Sequence, residues 1–188
     1  MNATALLLWV SAFSSFGWGV LRFFRRSAGL TVHTAVVAVL GLVSGAWHVA
    51  AIATSGVGPL PFGAGSLLLG ISTATFWWAV SACDSRRLTA IFENDVPLHL
   101  VQHGPYRYIR HPFYASYSMF WLAGWIASGS TLALVSAGIM VGIYQDAIRQ
   151  EERKFASSTL AVQYADYRRR VGRLIPRLRA LRAGDSRR

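Results

Sequence analysis

Apolar residues run through this chain in long stretches that no charge interrupts. Asp, Glu, Lys and Arg are all missing from residues 1–21, 27–83 and 111–145. One helical crossing of a bilayer takes about 20 predominantly apolar residues, so the second stretch is long enough for two. It breaks at residues 55–63, SGVGPLPFG, where three Gly and two Pro disfavour a continuous helix. The pattern predicts helices over about residues 5–24, 32–54 and 64–83. The third stretch breaks at residues 124–130, GWIASGS, which predicts a helical hairpin. Its arms, at about 13 to 18 residues and 1.5 Å per residue, are short for a crossing unless the second continues through residues 146–155. The first stretch lacks the basic start and small-residue cleavage site of a signal peptide, so it is expected to remain as a helix of the mature protein.

Composition supports the same solvent. Hydrophobic residues make up 53% of the chain and charged residues 14%, against about 25% charged in soluble domains. The expected fold is all-α: one polytopic membrane domain over residues 1–188, with three helices in residues 1–83 and a second region, including the hairpin and a basic tail, in residues 84–188.

Charge then sets an orientation. Arg22, Arg25 and Arg26 follow the first helix, Arg86 and Arg87 follow the third, and the remaining basic residues lie before or after the hairpin. The two other loops carry none. Five helices with every basic loop on one face place the N-terminus outside and the C-terminus in the cytoplasm. A formal charge of +11 on that face suits anionic lipid headgroups. Nucleic-acid binding is not expected, because no reading motif or stacking platform accompanies residues 168–188. Cys83 is the single cysteine, which excludes an internal disulfide and a cysteine-based metal site; a structural thiol is expected there, and no metal.

Between the third helix and the hairpin, residues 84–102 mix apolar and charged positions. Leu88, Ile91 and Phe92 recur at helical spacing, which suits a short interfacial helix ended by Pro97 and followed by an extended run into Gly104. Then comes HGPYRYIRHPFY, residues 103–114, with two Arg, two His and three Tyr beside an apolar run. Gly104-Pro105 suits a turn. Arg107 and Arg110 are fixed cations suited to carboxylate or phosphate, and Tyr106, Tyr108 and Tyr114 offer aromatic faces with hydroxyl handles. Pro112 is tolerated in the first turn of a helix, which places His111 at its start, where free N–H groups favour an anion. Such residues suit a small, partly anionic, aromatic-bearing ligand, and they also suit anchoring at the headgroup level. His33 and His48 read as packing residues, and Gly63, Gly65 and Gly70 as close helix contacts without a dinucleotide-binding spacing.

Residues 104–114 resemble the G-x-Y-x-x-x-R-H-P-x-Y signature of the isoprenylcysteine carboxyl methyltransferase family and the related phospholipid N-methyltransferases. Glu151-Glu152, Tyr164, Tyr167, Arg170-Val171 and Ile175-Pro176 resemble that family's second block, and the likeness covers roughly residues 98–176. The resemblance implies an integral membrane methyltransferase using S-adenosylmethionine at the cytoplasmic face. It further implies that Leu100 and Val101 present backbone groups to the cofactor. Tyr106, Arg110, His111, Pro112, Phe113 and Tyr114 would line its pocket, with Glu151 contacting it. Arg149 or Arg170 could hold an acceptor carboxylate. Three departures leave the acceptor open between an isoprenoid-linked carboxylate and another lipid. Ala147 stands where prenylcysteine-type enzymes have Arg, Ser116 stands where Gly is usual, and SSTLAV at residues 157–162 lacks the family's Phe-Gly. An NADPH-dependent sterol or isoprenoid reductase shares the R-H-P-x-Y block and is the alternative enzyme class; a non-catalytic membrane scaffold is the third reading. The expected partners are a lipophilic or lipid substrate and membrane lipids, with no obligate protein partner. The compact length and lack of targeting signals suit a bacterial inner membrane.

Overall fold

The computed structural model describes residues 3–24, 32–83, 97 and 99–177. Among them the regular structure is helical: α1 (Ala3–Phe24), α2 (Val32–Thr54), α3 (Pro59–Ala82), a single 3-10 turn (Gly104–Arg107), α4 (Pro112–Ser128), α5 (Thr131–Ala156) and α6 (Ala161–Arg170). The only pairing of strand type among these residues is an isolated parallel bridge between Ile109 and Gly172. The protein is thus an all-α polytopic membrane protein whose five long helices fall where uncharged sequence predicts them. Three of these, residues 36–54 within α2, α3 and α5, are long and apolar enough to cross a membrane. At 17 residues, α4 reaches only about 26 Å.

Helix boundaries differ from expectation at two places, each for a local reason. The sequence predicts the third helix from about residue 64, whereas α3 begins at Pro59, because proline is pre-organised for a first turn whose N–H groups need no partner. Gly124 was expected inside the hairpin turn. Instead α4 runs through it to Ser128 and ends on Gly129 in the left-handed conformation (φ 62°). The interfacial helix expected in residues 84–102 falls mostly outside the described residues.

Small residues let the helices approach closely, which is how helices associate where lipid is as apolar as the side chains. The most extensive interface is α3 against α4. A Cβ at Gly65 would lie 2.7 Å from the Ala127 Cβ and 2.8 Å from the Ala123 carbonyl oxygen. The Ser72 hydroxyl donates across the same interface to the Ser116 carbonyl (2.7 Å), and the Ser116 hydroxyl donates back to Phe113 O (2.7 Å). Gly63 and Gly70, by contrast, face open space. His48 is fully buried between helices, with Nε2 2.7 Å from the Ser136 hydroxyl and its ring edge-on to Trp121. It touches Gly124 so closely that a Cβ there would fall 2.0 Å from Nδ1. The His33 side chain lies outside the described set. Phe16 packs its ring against Phe76, Tyr117 and Phe120 at 4.9–5.4 Å, tying α1 to α3 and α4.

Gly65→Val is expected to lower stability by about 1–3 kcal/mol through overpacking against a backbone that cannot yield, while Gly70→Ala leaves it unchanged or higher. Thermal unfolding of the two variants in detergent checks this; equal midpoints would show that α3 and α4 can separate at little cost.

Candidate active site

The motif forms a compact turn against the end of α3. Gly104 takes a positive φ of 58°, and a Cβ there would sit 2.7 Å from the Ala82 Cβ, so both geometry and space demand glycine. One helical turn later Tyr106 is buried. The Cys83 thiol donates to its phenol oxygen (3.3 Å), and the Tyr167 hydroxyl donates to its carbonyl (2.6 Å). Burial pushes the Tyr106 phenol well above its usual range, so it stays neutral.

From Ile109 the chain runs extended and is clasped by the segment after α6. Arg110 N–H donates to Gly172 O (2.8 Å) and His111 N–H to Arg173 O (3.1 Å). Gly172 allows this because the chain turns back tightly: a Cβ there would fall 1.8 Å from the Ile175 carbonyl oxygen. Arg110 is buried, and its Nη1 donates to the carbonyls of Val171 (2.5 Å) and Arg168 (3.2 Å).

Glu152 is the hub of the charges that meet here. Its Oε1 takes Arg110 Nη2 (2.9 Å), Arg173 Nε (3.3 Å) and His111 Nε2 (3.4 Å), and its Oε2 takes Arg173 Nη2 (2.5 Å). The side chain is 7% exposed, which only a well-paired carboxylate tolerates. The other nitrogen of the His111 ring, Nδ1, faces Glu151 Oε2 at 3.2 Å. A ring with a carboxylate at each nitrogen bonds both only as the imidazolium, with both N–H groups donating. Burial draws the His111 pKa down, but bonds to Glu151 and Glu152 outweigh it and hold it above the ordinary value. Glu151 Oε1 also accepts from the Tyr114 hydroxyl (3.1 Å).

One pocket opens beside this network. Leu100 and Val101 form one wall, Tyr106, Arg110 and His111 a second, and Pro112, Phe113, Tyr114 and Glu151 a third. The nine residues expected to hold a cofactor therefore line a single cavity. His99, Phe155, Tyr164 and Tyr167 complete it. Phe155 and Tyr164 stack almost parallel, 4.6 Å apart. The buried Tyr164 phenol lies beside the Arg110 guanidinium. Arg149 and Arg170 do not line the pocket. Both are exposed, and Arg170 pairs with Asp166 (3.0 Å).

Arg173 and the central place of Glu152 escape a reading of the sequence. Adjacent glutamates in a chain with only eight acidic residues were a signal that cations must converge on them. Which cations depends on the reversal at Gly172.

The site is thus a pocket of carboxylate, imidazolium and aromatic groups at the start of a helical hairpin in an all-helical membrane protein. Residues 61–162, just over half of the chain, match the phospholipid methyltransferase family, and the protein belongs to it. It is therefore a membrane methyltransferase for lipid-like acceptors. No curated protein and no solved structure matches the chain at a significant level.

Proposed function

We propose that the pocket binds S-adenosylmethionine and that a lipophilic acceptor reaches it from the bilayer. The observation that carries this reading is the convergence of nine residues, drawn from positions 100 to 151, on one cavity. The chemistry of the lining suits such a ligand. Glu151 keeps acceptor capacity beyond its bonds to Tyr114 and His111, and an ammonium group would use it. The Arg110 guanidinium beside the Tyr164 phenol suits a carboxylate. The faces of Tyr106, Phe113 and Tyr114 suit adenine and a cation.

When bound, the cofactor supplies an electrophilic methyl group on a sulfonium. The chain's own work is positioning and exclusion of water. The paired carboxylates hold His111 as a cation, His111 and Tyr114 fix both oxygens of Glu151, and the buried aromatic residues keep the cavity dry. An acceptor carboxylate is already ionised near neutral pH, whereas an amine must first lose a proton. Membership of the phospholipid methyltransferase family supports a lipid acceptor. The distribution of Arg and Lys supports an N-terminus outside and a site at the cytoplasmic face, as in a bacterial inner membrane.

Calorimetric titration of detergent-solubilised protein with S-adenosylhomocysteine, and separately with NADPH, tests the proposal. S-adenosylhomocysteine is expected to bind, and Glu151→Ala to weaken it by about tenfold or more through loss of a charged hydrogen bond. Tyr114→Phe should have a smaller effect. Binding of NADPH alone would overturn the reading in favour of a reductase.

A further inference from the structure

A second concavity lies on the far side of Tyr164 from the pocket just described. It is lined by Ala156, Ala161 and Ala165, by the buried Glu152 and Tyr164, and by Arg168, Arg169 and Arg177. The bland account of these cations is a basic last turn of α6 that complements the helix dipole. Three features go beyond that account. Arg177 comes from outside the helix and is folded back so that its guanidinium donates to the Arg169 carbonyl, not to a carboxylate. The Arg168 guanidinium has no partner among the described residues. The nearby exposed acid, Asp166, has its two oxygens engaged by Arg169 and Arg170 (3.0 Å each). Glu152 reaches the cavity too, but Arg110, Arg173 and His111 already surround its carboxylate. Among the described residues, positive charges around this cavity thus outnumber the carboxylates free to pair with them, and an anion would relieve their repulsion.

Depth in the membrane narrows the anion's chemistry. The 26 residues of α5 span about 39 Å, whereas the hydrocarbon core is about 30 Å thick. α5 is therefore longer than a crossing needs, which suits a headgroup-level position for its end at Ala156, beside the cavity. Guanidinium groups pair in bidentate fashion with phosphate oxygens, and Ala156, Ala161 and Ala165 offer apolar surface to glycerol or acyl carbons.

We propose that this cavity is a binding site for a phosphate group, distinct from the pocket described above and formed by Arg168, Arg169 and Arg177 beside Ala156, Ala161 and Ala165. A phospholipid headgroup and a free phosphate share the chemistry that would recognise it, and the two sources are told apart by experiment.

The test compares wild type, the double variant Arg168→Ala/Arg177→Ala and the control Arg107→Ala, an exposed cation outside the cavity. Each is placed in nanodiscs of mixed phosphatidylglycerol and phosphatidylcholine, and the lipid retained after extraction is counted by native mass spectrometry. In parallel, detergent-solubilised protein is titrated with inorganic phosphate and with glycerol 3-phosphate. Wild type and Arg107→Ala are expected to retain phosphatidylglycerol preferentially, and the double variant to lose about tenfold or more of that preference. If the lipids are retained equally but phosphate binds and the double variant abolishes it, the site stands with a soluble occupant. If neither anion binds, or if Arg107→Ala lowers retention as much as the double variant, the cations are a diffuse basic face and the proposal fails. Circular dichroism of the double variant guards against misfolding, since neither side chain is part of the buried core.

Discussion

Glu152→Gln is expected to destabilise the protein by about 3–5 kcal/mol, the range for breaking a buried ion pair from one side. The change keeps the shape of the side chain and removes the charge that Arg110, Arg173 and His111 share. Arg110 cannot escape to solvent: it is buried and its Nη1 is held by two backbone carbonyls. A thermal or denaturant midpoint in detergent reads the loss. A midpoint equal to wild type would mean that the network contributes no net stability. The pH profile separates electrostatics from packing. His111 titrates above its ordinary 6.5 in the folded protein. A raised folded pKa adds stability that is complete below the unfolded value and is lost as pH rises through the folded value. Wild type should therefore weaken on going from pH 6 to pH 9. In Glu152→Gln one of the two carboxylates that raise His111 is gone, so this alkaline loss should be smaller and should be complete at lower pH.

Gly172→Ala should be the most damaging change of a single methyl group. The added carbon meets the Ile175 carbonyl oxygen at 1.8 Å and the Arg177 nitrogen at 3.2 Å, both backbone atoms. Rotamer change cannot relieve such a clash, so the turn must open. Opening it pulls Gly172 O and Arg173 O away from the Arg110 and His111 amides, and Arg173 away from Glu152. The expected cost is about 3 kcal/mol or more, at or beyond the upper end for overpacking, with a fall in affinity for S-adenosylhomocysteine. Gly138→Ala in α5 serves as the contrast, since nothing lies within 4 Å of the new carbon. Helix propensity should make it neutral or stabilising. Unfolding midpoints and titrations of both variants check the pair, and an unperturbed Gly172→Ala would show that the clasp is dispensable.

Much of the helix layout was legible because a bilayer imposes one simple rule, an apolar run of sufficient length, and charge marks its ends. Residues 32–54 were bounded in sequence where α2 is observed. Proline and glycine were harder to read, since each has two meanings. Pro59 and Pro61 signal a break, yet they begin α3, and Gly124 signals a turn, yet it gives His48 room inside a helix. The motif residues converge because most are close in sequence and the helix start at Pro112 orders them. Nearness in sequence to Glu151 and to the second block is what recommends Arg149 and Arg170. Helical phase puts Arg149 elsewhere: two positions are about 200° of turn, so it faces away from Glu151. On the inward face of α5, Ile148, Glu152 and Phe155 follow helical spacing and are all buried. Arg170 is drawn to Asp166 on the open side of α6. Arg173 could not be foreseen, because its place depends on a tight reversal that only the absence of a Cβ at Gly172 permits.

The clasp between residues 109–111 and residues 172–173 also sets an order of events during synthesis. The motif emerges from the ribosome some sixty residues before the strand that pairs with it, as the separation of Arg110 from its carbonyl partner at Val171 shows. Contacts so distant in sequence form late, after the loop between them is closed. Here that loop is the hairpin of α4 and α5 itself. A nascent or truncated chain can therefore insert every long helix and still lack the charge network that shapes the pocket. The charge network beside the pocket therefore waits until the chain has been made through Arg173.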